Sequence, residues 1–156
     1  MSAKLYSMDT SALVDGMGRY YRPSVFQSLW QRMDGLIHEG RLFATEEVEI
    51  EIERKADHLG DWCRGRKAMF IEVDAELQPV VSDILLAHGK LVKALSNRSA
   101  ADPFVIALAK VRGASVVTSE RPSGSLDKPK IPDVCDALGV PCLSMMEMME
   151  AEGWSF

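Results

Sequence analysis

The chain has 156 residues, 47% hydrophobic and 26% charged, with a formal net charge of −5. That suffices for one domain with a real core, expected over 1–156, and the composition is that of an ordinary globular protein. It excludes a global basic signature for nucleic-acid binding, an apolar run near the roughly 18 residues of a membrane helix, and a signal-peptide pattern, so a cytoplasmic protein with no membrane contact is expected.

Residues 4–8 read as a short buried strand closed by Asp9. Thr10 and Ser11 follow, then the apolar run Ala12-Leu13-Val14 of a helix that any of these three polar residues could cap. The segment from Asp15 to Tyr21 reads as a loop, and Pro23 suits the first turn of a helix that Gly40 closes. Arg41 to Ala44 is a strand candidate.

The stretch 47–53 alternates with period two, a strand pattern. Thr45 as a cap and Glu46 and Glu47 in a first turn favour a helix with Val48, Ile52, Ala56 and Leu59 on one face. A more polar helix is expected from Asp57 to Lys67, a strand at 69–71, and a helix from about Glu76 to Leu95 that Gly89 weakens. A loop over 96–103 leads to Asp102, which looks like an N-cap before Pro103. That helix ends at Gly113, and Ala114 to Thr118 is the clearest strand of the second half. After a polar loop over 121–132 come a short helix from Asp133 to Gly139, a strand from Val140 to Leu143 and a helix from Ser144 to Glu152. Strands alternating with helices imply a three-layer α/β/α sandwich with a central, mostly parallel sheet.

Cys63, Cys135 and Cys142 match neither a disulfide framework nor a zinc pattern, and read as small buried apolar residues. The acids are more informative. Asp9 and Glu120 close strands beside hydroxyl residues, and Asp102 opens the helix that feeds the second of these strands. Parallel strands would bring these acids to one edge of the sheet, where ligands sit in such folds. A glutamate from 46–53 can join them, although the helical step places Glu49 and Glu51 alike about 80° from the apolar face. Each acid also has a plain reading, as a cap or as part of a solvated face. An all-oxygen set of three or four carboxylates suits Mg²⁺ or Mn²⁺, which can activate water against a phosphodiester.

These residues resemble the PIN-domain family of metal-dependent nucleases. Tyr6-Ser7-Met8-Asp9-Thr10-Ser11-Ala12-Leu13 resembles its first motif, Val48-Glu49-Ile50-Glu51-Ile52 its second, Ala101-Asp102-Pro103-Phe104-Val105-Ile106-Ala107 its third, and Val116-Val117-Thr118-Ser119-Glu120 its fourth. A toxin-like, PIN-like branch of undefined function is similar also in Lys130-Ile131-Pro132-Asp133-Val134-Cys135. The resemblance implies a PIN-like fold with Asp9, Glu51, Asp102 and Glu120 as metal-holding catalytic acids. Thr10, Ser11 and Thr118 would orient carboxylates or a water. It implies hydrolysis of an RNA or DNA phosphodiester with Mg²⁺ or Mn²⁺, most simply by the endoribonuclease toxin of a type II toxin–antitoxin pair, with a helix-turn-helix antitoxin as partner. A homodimer is an option the apolar terminal helices allow.

Glu49 stands as the alternative to Glu51. Asp133 stands as the alternative to Glu120, because the fourth acid is more often an aspartate set further on. Arg64, Arg66, Lys67, Arg98, Arg121, Lys128 and Lys130 are candidate phosphate contacts. A haloacid-dehalogenase-like phosphatase needs a second aspartate at position 11, where this chain has Ser11. The rival reading from another class is a PIN-like module without activity that binds a partner protein or nucleic acid.

Overall fold

The computed structural model describes residues 3–54, 58–92 and 100–156. The expectations for Ala56, Asp57, Arg98 and the segment 93–99 lie outside the described residues. The fold is α/β. Five strands, β1 (Tyr6–Met8), β2 (Leu42–Thr45), β3 (Phe70–Ile71), β4 (Ser115–Val117) and β5 (Cys142–Leu143), form one all-parallel sheet in the order β3-β2-β1-β4-β5. Helices cover it as a three-layer α/β/α sandwich. Successive strands run outward from β1 to β3, and the chain then returns to place β4 on the other side of β1. The order therefore reverses between β1 and β4, and in open parallel sheets such a switch point leaves a crevice at the carboxyl ends.

The inner strands β1 and β2 are buried on both faces, as a sheet covered by helices on both sides requires, and the edge strands β3 and β5 are half-buried. Helix α6 (Asp102–Arg112) packs across β1, β2 and β4 through Val105, Ile106, Leu108 and Ala109. Ser7 Oγ on β1 donates to the Val105 carbonyl at 2.9 Å, pinning α6 to the central strand. Helix α5 (Leu77–Ala87) lies against α6.

The period-two stretch is helical, as α3 (Glu46–Glu53). Thr45 Oγ1 accepts from Val48 N, the first turn carries Glu46, Glu47 and Glu49, and Val48 and Ile52 are buried on one face. Capping and the helix dipole outweigh the alternation.

Several boundaries differ from expectation. The segment after α1 (Thr10–Asp15) is not a loop but a π-helical turn, Gly16–Tyr20, in which Tyr21 N donates to the Gly16 carbonyl at 2.7 Å. Gly16 sits so close under Met145 that an added Cβ would meet its sulfur at 2.8 Å. Pro23 begins a tight turn, and α2 starts four residues later (Gln27–His38). Helix α4 covers His58–Arg64. Helix α5 ends at Ala87, short of Leu95, because the chain tightens into a 3-10 turn at Gly89–Leu91. Helix α7 begins at Ile131 rather than Asp133, with Pro132 in its first turn (Ile131–Leu138). β5 is shorter than expected, and α8 (Met145–Ala151) opens on a reciprocal cap between Ser144 and Glu147. Cys63 and Cys135 are buried, whereas Cys142 is only half-buried. No helix among the described residues is long and apolar enough to cross a membrane.

Candidate metal centre

Asp9 directly follows β1, at the switch point, and is 3% exposed. It precedes α1 in the cap position, but its side chain caps nothing. Instead Oδ2 accepts from Ser11 Oγ at 2.5 Å and from Thr118 Oγ1 at 2.8 Å. Each of these hydroxyls also accepts a backbone N–H from the end of β4: Ser11 Oγ from Ser119, and Thr118 Oγ1 from Glu120, both at 3.1 Å. The two hydroxyls thereby lock β1 and β4 together at their carboxyl ends and fix the orientation of Asp9.

Glu51 comes from α3. Its Oε2 accepts from Thr10 Oγ1 at 2.7 Å and its Oε1 from the backbone N–H of Ala101 at 3.0 Å. Glu49 turns the other way, to Lys67 Nζ at 2.8 Å. Glu51 is therefore the α3 acid that joins the β1 and α6 residues.

Asp102 corrects the sequence reading. It is not the N-cap of α6 but its first residue, with Ala101 in the cap position and no side-chain cap bond. The influences on its carboxyl among the described residues are burial and neighbouring charge, with no hydrogen-bond donor. A carboxylate 6% exposed with no donor is costly unless it is protonated or meets a cation.

Glu120 lies just past β4, half-buried, and its Oε1 accepts from Ile131 N at the start of α7, at 3.2 Å. Asp133 serves elsewhere: its two oxygens accept from Lys130 N, Ser123 N, Ser123 Oγ and Gly124 N. Partial burial opposes ionisation there, but those donors hold its carboxyl down to about 2. It is the clamp of the 121–132 loop and the α7 start.

The electrostatics are those of acids gathered close to one another and partly buried. Burial pushes Asp9 up to about 6; the hydroxyls of Ser11 and Thr118 partly oppose this, and the charges of Glu120 and Glu51 add to it. Burial, then the charges of Asp9, Glu120 and Glu51, push Asp102 up to about 9, against a small downward pull from Lys130. Four carboxylates from β1, α3, α6 and the β4 end thus act on one another, whereas Glu49 and Asp133 are absent from both sets of influences.

The donor set fits a hard divalent cation: all oxygen, partly buried, and destabilised as it stands by mutual repulsion. As they stand, no three or more acid, histidine or cysteine side chains among the described residues are placed to hold a metal ion together. An ion that keeps several of its waters needs fewer direct protein ligands.

Beside Glu120 opens a cleft of about 550 Å³, and Asp9, Glu51 and Asp102 lie outside its lining. Thr118, Ser119, Glu120 and Arg121 form one wall, and Asp15, Tyr20, Tyr21 and the start of α8 form the rest. The basic residues sort cleanly. Arg64 is paired with Asp61, Arg66 with Asp34, and Lys67 with Glu49 and Glu53. Arg121, Lys128 and Lys130 have no ion pair among the described residues.

The family model described as a domain of unknown function (DUF4411) matches residues 6–156, from β1 through the end of α8. The chain belongs to that family. The match takes in all four acids, so in this DUF4411 chain they lie within one family unit. No curated protein matches the chain.

Proposed function

We propose that this DUF4411 chain is a Mg²⁺- or Mn²⁺-dependent nuclease of PIN-like type, hydrolysing RNA phosphodiesters as a toxin-like endoribonuclease. The observation that carries the reading is Asp102, a buried carboxylate with no hydrogen-bond donor among the described residues and under the charges of Asp9, Glu120 and Glu51. Such a group is a liability to folding and a useful ligand for a cation.

In this reading Asp9, Glu51 and Asp102 hold the ion and Glu120 completes the site. Bound there, the ion supplies an activated water and neutralises charge building on the phosphodiester. Ser11 and Thr118 donate to Oδ2 of Asp9 and so hold its carboxylate in one orientation for a cation. Thr10 and Ala101 N hold the Glu51 carboxylate from both oxygens, so it is oriented before any ligand arrives. Arg121, on the cleft wall and without an acidic partner among the described residues, is a candidate to receive a phosphate. RNA as substrate rests on the resemblance of the four acid motifs to PIN nucleases, and the toxin role and a helix-turn-helix antitoxin on the resemblance at Val117-Thr118-Ser119-Glu120 and at Lys130 to Cys135; the cytoplasm is where such a pair would act.

A second reading is a binding module without activity, and the lack of three such side chains already placed to hold an ion, among the described residues, favours it. Cleavage of an RNA pool with Mg²⁺, Mn²⁺ or EDTA decides between them. The nuclease reading requires metal-dependent cleavage that Asp9→Asn and Asp102→Asn abolish while the fold persists. Absence of both cleavage and metal binding hands the chain to the second reading.

A further inference from the structure

In Arg19-Tyr20-Tyr21-Arg22 two aromatics stand between two cations, and both tyrosines line the cleft. Arg19, Tyr20 and Arg22 are exposed, Tyr20 to 56%, and neither arginine has an ion pair among the described residues. The segment is nonetheless held firmly. It closes the π-helical turn through the bond from Tyr21 N to the Gly16 carbonyl. Trp30 Nε1 donates to the Tyr21 carbonyl at 2.6 Å, and Tyr21 packs edge-on against Phe26 with ring centroids 5.7 Å apart. The Arg19 guanidinium lies 5.5 Å from the centre of the Tyr20 ring, and Arg22 folds back so that Nε donates to the Gly18 carbonyl. Both Tyr20 and Tyr21 line the same cleft as Thr118, Glu120 and Arg121. A large exposed aromatic on a rigid turn gains little for the fold. Flanked by cations, it matches what a nucleotide strand needs, a π face for a base and positive charge for the phosphates on either side.

We propose that Arg19-Tyr20-Tyr21-Arg22 is a platform for a single strand of nucleic acid, with a base stacked on Tyr20 and neighbouring phosphates met by Arg19 and Arg22. The platform names the substrate form of the nuclease proposed above and rests on that reading for the chemistry that follows binding. A paired base inside a duplex has no free face to offer, so the platform selects unpaired nucleotides.

The test is fluorescence anisotropy with labelled 12-nucleotide RNA, the same sequence as DNA, and a 12-base-pair duplex, using the full chain carrying Asp9→Asn so that nothing is cleaved. Tyr20→Ala is expected to weaken single-strand binding by roughly 5- to 100-fold, the range of one stacked base. Tyr20→Phe is expected to restore it, and duplex affinity should be low throughout. Arg19→Ala with Arg22→Ala should reduce the slope of log affinity on log salt by about 1.4, the loss of two single-strand phosphate contacts. In the active chain Tyr20→Ala should raise KM and leave kcat nearly unchanged. RNA binding well above DNA assigns the platform to RNA, and equal binding assigns it to either strand. If Tyr20→Ala and the double arginine variant bind like the parent while the chain still cleaves RNA, the platform is wrong and the nuclease stands. If the chain cleaves nothing yet binds single strands through Tyr20, the platform stands and the nuclease falls. Preference for duplex overturns the platform outright.

Discussion

Replacing Asp9 by asparagine should make the metal-free protein more stable while destroying its response to metal. Burial and neighbouring acids hold the Asp9 carboxyl at about 6, against 3.8 ordinarily. An acid with a raised pKa in the folded state binds its proton more tightly there than in the unfolded chain. Stability is therefore fully present below about pH 4 and falls as pH rises through 6. At 1.36 kcal/mol per pKa unit, the ionised side chain costs the fold about 3 kcal/mol above pH 7. Asparagine carries no charge, its Oδ1 still accepts from Ser11 and Thr118, and its amide can donate to the acids alongside. For a domain of this size, relief of about 3 kcal/mol corresponds to a melting point roughly 6–12 °C higher.

The assay is thermal unfolding of parent and Asp9→Asn in EDTA, at pH steps from 4 to 9, repeated with Mg²⁺ and Mn²⁺. The two curves should meet near pH 4 and diverge through pH 6. Added metal should raise the parent's melting point and leave the variant where it was. A variant that melts below the parent at pH 8 in EDTA, with no dependence of the gap on pH, would show that Asp9 is not under the repulsion described, and the carboxylate cluster would lose its physical basis.

Because Asp102 is held at about 9, cation binding at pH 7.5 should release close to one proton per chain. Calorimetry in two buffers of different ionisation enthalpy measures it, and an apparent affinity independent of pH refutes it. Glu51→Gln should lose metal-dependent cleavage and the metal-induced rise in melting temperature, whereas Glu49→Gln, whose side chain faces Lys67, should keep both. Asp133→Ala removes the acceptor of four hydrogen bonds and should cost roughly 1–2 kcal/mol of stability, as a lost cap does, with metal titration unchanged. At the far end of the sheet, Tyr6 Oη donates to Glu152 at 2.5 Å and Arg41 pairs with the same carboxylate at 2.6 Å. Glu152→Ala should destabilise the chain by roughly 1–3 kcal/mol through the two groups it strands, with no effect on metal binding.

The strand order was not readable from the sequence, but the acids at strand ends were, because a short apolar run that stops at Asp9 or before Glu120 is a local pattern. Asp102 shows the limit of such patterns. An acid before proline suits a cap and a first helical residue equally, and only the backbone at Ala101 decides between them. Glu49 and Glu51 are symmetric about the apolar stripe of α3, so the choice waited on Lys67 and Thr10, which are remote in sequence. The same remoteness misled the reading of charge, since the partners of Arg64, Arg66 and Lys67 emerge only in the fold. Arg19 lies inside the segment that reads as a loop and Arg22 just after it, and the signal that marks them in the sequence is a pair of cations flanking two tyrosines.

The bond from Thr118 to Asp9 spans 109 residues of chain. This carries a consequence for the order of synthesis. A ribosome adding roughly 5–20 residues per second has released Asp9 many seconds before Thr118 exists. Until β4 slots in beside β1, the first acid has no hydroxyl from that side to orient it, and Glu120 has not been made. A nascent or prematurely terminated chain therefore carries the pieces of the centre without the centre, and any hazard the finished protein poses is withheld until synthesis has passed Glu120.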